Sequence, residues 1–277
     1  MNTLPSRQPV EAEGERPTVI GLHAGAGAPE QWRPLAERRA LGTGEPFSLD
    51  AETAPIEPLL DAFPGPVYLV GHGYGAAVAL KLALAHRERI GGLVLYEPTL
   101  FSLLLADPKS RYAAMDIPVL RRVLGRDLDA GDRFRAALRY VDHSSGAGTW
   151  QGLSAEERAT IAHRMPALCA QLVAQFADPT PASAYAGIDV PVLLLSGTRT
   201  RASTGRIAQL LARTLPHAEW RQIDGVGHGP GAHPEEVDRE IEDFLARHPL
   251  VSYRDPEPTG FFALPAFAYR HRGTGHG

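Results

Sequence analysis

The residues of this chain whose types and spacing suit chemistry fall in two glycine-rich turns and at one strand end. Gly71-His72-Gly73-Tyr74-Gly75 sets glycine at alternate positions between an apolar run and an apolar helical segment. So sharp a strand-to-helix turn admits no side chains at its flanks and strains its central residue. Gly225-Val226-Gly227-His228-Gly229-Pro230 places a histidine among small residues, where the ring can reach a neighbouring turn. Imidazole titrates near neutrality, so His228 is a candidate general base; the competing reading is an ordinary surface-loop histidine. Glu97 ends an apolar run just before Pro98. Its carboxylate can orient a histidine ring, or cap its own loop by accepting backbone N–H groups.

The elements that must position these groups alternate strand and helix. Thr18 to His23, Val67 to Gly71, Gly92 to Glu97, Val192 to Ser196 and Glu219 to Asp224 are short apolar runs bounded by turn residues and read as strands. The first four lack polar alternation, as strands covered on both faces of a parallel sheet do, while the fifth suits an edge. Ala76 to Leu84 is small or apolar all round and predicts a buried helix. Residues 100–187 show helical periodicity and no convincing strand, with Leu168, Leu172, Val173 and Phe176 among the expected apolar positions. The expectation is an α/β core over 17–99 and 188–247, an inserted helical lid over 100–187, a polar segment over 1–16 and a mobile tail over 248–277.

Together these segments resemble the lidded, esterase-like members of the α/β-hydrolase fold family, over about residues 17–246. Val67 to Ala76 is similar to their G-x-S-x-G nucleophile elbow, and Leu22-His23-Ala24-Gly25 to their His-containing oxyanion loop. Gly92 to Pro98 resembles the strand after the elbow helix, Pro191 to Gly197 the strand after the lid, and Gly225 to Pro230 the catalytic-histidine loop. The resemblance implies a mostly parallel sheet of about five recognisable strands with helices on both faces. It also implies His228 as general base, Glu97 as its carboxylate partner, and backbone N–H groups of Ala24 and Tyr74 as the oxyanion hole. His23, Tyr74 and Trp150 are candidates to line the substrate pocket.

Three departures set this chain apart. Gly73 stands where the nucleophilic serine belongs, so the covalent acyl-enzyme route has no side chain to run through. No Asp or Glu occurs between Val190 and Ala218, where most relatives carry the acid. A strand expected between Leu35 and Leu59 has no apolar run to form it, which would leave a sheet edge open to self-association. Asp224 reads as a turn former.

Other function classes lack their residues. A net charge of −4 from 28 basic and 32 acidic residues offers no footprint for nucleic acid. His23-Ala24-Gly25-Ala26-Gly27 lacks the lysine of a P-loop and the third glycine of a dinucleotide fingerprint. His228 and His233 have no Cys or carboxylates to complete a metal shell, so neither cofactor nor metal is expected. The lone Cys169 in an apolar stretch and the polar first residues predict a cytoplasmic protein, and no run approaches the roughly 18 to 20 apolar residues of a membrane span. Three readings remain open: hydrolase or lyase chemistry through His228 and Glu97 without a covalent intermediate, a silent relative binding a small apolar or acyl ligand or a protein partner, and a serine enzyme deprived of its nucleophile by design.

Overall fold

Runs of Val, Leu and Ile without polar alternation should sink into the middle of a sheet, and in the computed structural model they do. The structure describes residues 19–22, 48–63, 65–229 and 235–250. The expectations for the polar N-terminal segment, for His23 and Ala24, for the stretch 38–47, for His233 and for the tail beyond residue 250 lie outside the described residues.

Five strands, β1 (Val19–Leu22), β2 (Val67–His72), β3 (Ile90–Tyr96), β4 (Val192–Gly197) and β5 (Ala218–Ile223), form one sheet in the order β1-β2-β3-β4-β5. Every neighbouring pair is parallel. All six residues of β2 and of β4 are buried, whereas β5, at one end of the described sheet, is largely part-exposed. Each large apolar side chain removed from water here contributes about 1.5–3 kcal/mol. The register aligns His72 with Tyr96, Tyr96 with Leu195 and Gly197 with Ile223, so the strands finish along a common rim. Ligand sites of open parallel sheets form outside that rim.

Between β1 and β2 lie the short helices α1 (Leu49–Thr53), capped by the Ser48 hydroxyl, and α2 (Glu57–Asp61). After β2 comes α3 (Tyr74–Ala85), buried almost all round as its composition predicts. Its one cation, Lys81, is neutralised by Asp50 at 2.8 Å and Asp178 at 3.1 Å and donates to the Thr180 hydroxyl. Burial works against that ammonium, but the two carboxylates hold its pKa above the usual lysine range.

The segment between β3 and β4 contains α4 (Ser102–Ala106), α5 (Asp116–Asp129), α6 (Arg133–Ser145), α7 (Thr149–Gly152) and α8 (Ala155–Ala177), with no strand. Asp132 caps α6, and Ser154 with Glu157 closes a reciprocal capping box on α8. Helices α9 (Ala202–Thr214) and α10 (Glu235–Arg247) follow β4 and β5. Among the described residues no helix is long and apolar enough to cross a membrane.

The turn after β2 is as tight as its glycines imply. A Cβ on Gly71 would lie 2.6 Å from both Ala76 Cα and Gly75 O, which are backbone atoms that cannot swing aside. Gly71→Ala is therefore expected to lower unfolding stability by about 3 kcal/mol, at the upper end for overpacking. Chemical denaturation checks this, and an unchanged midpoint would show that the turn has slack.

Candidate active site

The elbow is anchored to β3 by its own backbone. Gly73 N–H donates to Tyr96 O at 2.9 Å, and Gly73 O accepts from Ala76 N at 3.2 Å and Thr99 N at 3.3 Å. Gly73 sits at φ 57° and ψ −114°, outside the regions where L-residues rest. Glycine relaxes a conformation that would strain any other residue by roughly 1–3 kcal/mol. Tyr74 opens α3, so its backbone N–H stands at the helix start. The residue is buried at the edge of the cleft, and burial, with Glu52, drives its phenol far above the usual range.

His228 reaches the same cleft because small residues let its loop press on the sheet rim. A Cβ on Gly197 would fall 1.8 Å from Val226 O, so only glycine at the end of β4 allows the approach. Val226 O accepts from Arg199 N at 2.9 Å, the Tyr96 hydroxyl donates to Gly227 O at 3.2 Å, and the Ser145 hydroxyl of α6 donates to His228 O at 2.5 Å. The imidazole lies 4.9 Å from the ring of His72, which rests on Tyr96 at 4.5 Å. Its Nδ1 is buried and has no hydrogen-bond partner among the described residues. Burial pushes the ring's pKa down to about 4, so His228 is neutral at pH 7.

Glu97 spends both carboxylate oxygens on β4 and the turn that follows it. Its carboxylate is fully buried, but Oε1 accepts Gly197 N–H at 2.6 Å and Oε2 accepts the Thr200 hydroxyl. The contact expected with His228 is not made. Glu97 is the sole non-glycine residue of positive φ (48°) among the described residues, a conformation uncommon for a side-chain-bearing residue. Burial raises its pKa, with Thr200 and Gly197 pulling the other way. The loop-capping reading describes this residue. Asp224, which accepts from the Thr198 hydroxyl at 3.0 Å in the turn after β5, behaves as the turn former expected.

The cleft joins Tyr74 and His228 to the inner faces of α5, α6 and α8. Trp150 does not line it. The indole sits elsewhere on the helical segment, edge-on to Phe134 at 6.4 Å and under the Arg158 guanidinium at 5.8 Å. Polar residues that spacing did not single out occupy the cleft wall instead: His143, Arg201, Gln171 and Gln175. Arg201 donates to His143 O at 2.8 Å and to Asp116, which also holds His143 Nε2 at 3.0 Å. Burial opposes the charge on Asp116, yet Arg201 and His143 keep its pKa below the usual carboxylate range. Burial, followed by Arg201, lowers that of His143. Among the described residues no cluster of His, Cys, Asp and Glu could hold a metal ion.

The depressed pKa of His228 has a definite sign in stability. The unfolded chain binds the proton below pH 6.5, the folded one only below about 4. This contribution is fully present above pH 6.5 and is lost as pH falls from 6.5 to 4, to a limit of roughly 3 kcal/mol. His228→Gln should flatten the pH dependence of the denaturation midpoint in that window. An identical slope in both proteins would contradict a buried, uncompensated ring.

The chain's likenesses agree with this geometry. Residues 19–240 match the alpha/beta hydrolase family profile. A stretch of 120 residues is 38% identical to the lipase LipV of Mycobacterium tuberculosis, spanning 41% of each chain. Over 255 residues the chain is 24% identical to the pimeloyl-[acyl-carrier protein] methyl ester esterase of Aromatoleum aromaticum, covering 83% of this chain and 98% of the esterase. MenH from S. aureus superposes with a TM-score of 0.66 at 17% identity, over 88% of this chain and 99% of its own. An enol-lactonase from Burkholderia xenovorans gives 0.63 at 18%, over 85% and 94%. With a parallel five-stranded sheet, an elbow at the end of β2 and a profile match over most of its length, the chain belongs to the α/β-hydrolase family.

Proposed function

We propose that this protein holds a small acyl compound in the cleft beside the elbow, with the helices between β3 and β4 as its lid, and forms no acyl-enzyme. What supports the reading is the bonding, among the described residues, at the three positions where the family resemblance would put a triad. Gly73 has no hydroxyl, Glu97 is committed to Gly197 and Thr200, and among the described residues His228 has no carboxylate on Nδ1. The oxyanion function needs only backbone, so the N–H of Tyr74, with that of Ala24 by family resemblance, can still polarise a carbonyl. The acyl class is supported by the lipase and methyl ester esterase to which the chain is similar.

A second reading follows from the neutral His228 ring. A neutral imidazole facing an elbow without a side chain can take a proton from water as that water attacks a bound carbonyl. Such turnover would rest on polarisation and binding, which alone leave about 10³-fold or more over the uncatalysed reaction. It should vanish in His228→Ala, which separates it from pure binding.

Two measurements on one panel of short-chain acyl esters test the proposal. The native chain should be stabilised by at least one ester, by about 2.7 kcal/mol at a hundred times the dissociation constant. Its intact mass should stay unchanged after incubation with an acylating nitrophenyl ester or a serine-directed phosphonate. Gly73→Ser should lose roughly 1–3 kcal/mol of stability to the strained backbone and become labelled by the same phosphonate. An acyl adduct on the native chain, or no stabilisation by any ester, would overturn the reading.

A further inference from the structure

Helix α8 turns an unexpected face to the cleft. Apolar spacing puts Leu168, Leu172, Val173 and Phe176 inward, but Val173 is 43% exposed and the positions lining the cleft are Leu168, Gln171, Leu172 and Gln175. Their spacing of three, one and three residues is one helical stripe. Gln175 is 4% exposed. Its Nε2 donates to Gln171 O at 3.2 Å, which fixes the amide's orientation and leaves Oε1 as a buried acceptor with no partner. The side-chain Oε1 of Gln171, one turn earlier, is also buried and without a partner.

Two amide oxygens on a buried stripe that could have been Leu throughout run against the rule that buried polar atoms are bonded. The cations of the opposite wall do not serve them, because Arg201 is committed to Asp116 and the His143 carbonyl. An amide oxygen only accepts, so whatever completes this site must donate. An alkyl chain would leave both oxygens unmet, and sites built to hydrogen-bond a substrate group reject the analogue that lacks it far more strongly than apolar pockets reject an extra methylene.

We infer that Gln171 and Gln175 receive a ligand arm bearing two hydrogen-bond donors, hydroxyl or amide N–H groups, so that the compound bound under α8 is a polar acyl compound and not a plain alkyl ester. This rests on the acyl-binding reading above and narrows it.

The test compares methyl 3,4-dihydroxybutanoate with methyl 3-methylpentanoate, in which methyl groups replace the two hydroxyls, and with propane-1,2-diol, which has no ester. Each is titrated calorimetrically into the full native chain. The dihydroxy ester should bind at least about tenfold more tightly than its methyl counterpart, as one well-made buried hydrogen bond already provides. In the double variant Gln171→Leu, Gln175→Leu that preference should disappear, while the melting temperature holds or rises because two unmet acceptors have been removed. Equal or weaker binding of the dihydroxy ester by the native chain overturns the donor arm and leaves the acyl reading standing. Propane-1,2-diol binding as tightly as the dihydroxy ester, lost in the double variant, supports the donor site and removes the acyl reading. No binding by any of the three overturns both.

Discussion

The buried carboxylate of Glu97 clamps the ends of β3 and β4, and the rest of the site is arranged around that clamp. By accepting the N–H of Gly197 and the hydroxyl of Thr200, it holds together the rim on which Val226 O rests. The loop bearing His228 is thereby held against the sheet, with the imidazole beside His72. The same bonds keep the carboxylate away from the imidazole. A buried acid with two donors has little reason to turn elsewhere, since leaving Gly197 N–H unmet in the interior costs about 1–3 kcal/mol. The clamp thus builds the histidine loop and withholds from it the partner that would make it a strong base.

Gly73 fits this arrangement energetically. Relatives of this fold tolerate a strained residue at the elbow centre because its hydroxyl serves the reaction. Here the backbone keeps the positive φ, glycine carries no strain, and the bonds from Gly73 to Tyr96 and Thr99 still shape the turn. In the proposed reading, that turn is what offers the backbone N–H of Tyr74 to a bound carbonyl. Polarisation of that kind would need no side chain at residue 73, because it rests on main chain that any sequence supplies.

Much of this was legible in the sequence. The uninterrupted Val and Leu runs of β2, β3 and β4 announced a covered parallel sheet, and the alternating glycines announced the elbow. The small neighbours of His228 announced a loop able to approach it. Glu97 stood out beside Pro98 with two roles open, and the bonds to Gly197 and Thr200, a hundred residues on, are long-range contacts that no local pattern encodes. Trp150 was drawn into the pocket by its type alone, whereas the fold spends its ring on Phe134 and Arg158. Asp116, His143 and Arg201 converge from α5, α6 and the loop before α9, a long-range meeting invisible to local spacing. Gln171 and Gln175 did carry a signal: two amides four residues apart, interleaved with Leu168 and Leu172 on one stripe. Val173 and Phe176 mask it by extending the apolar pattern beyond that stripe.

The central claim is that, among the described residues, His228 stands without a carboxylate and that burial keeps its ring neutral. The most direct measurement is an NMR titration of the His228 ring in the native chain and in Glu97→Gln. The structure predicts a pKa near 4 in the native chain, with the ring still neutral at pH 6 after the substitution. A native pKa of about 6.5 or higher that falls when the charge of residue 97 is removed would show Glu97 acting on the ring, and would contradict the account.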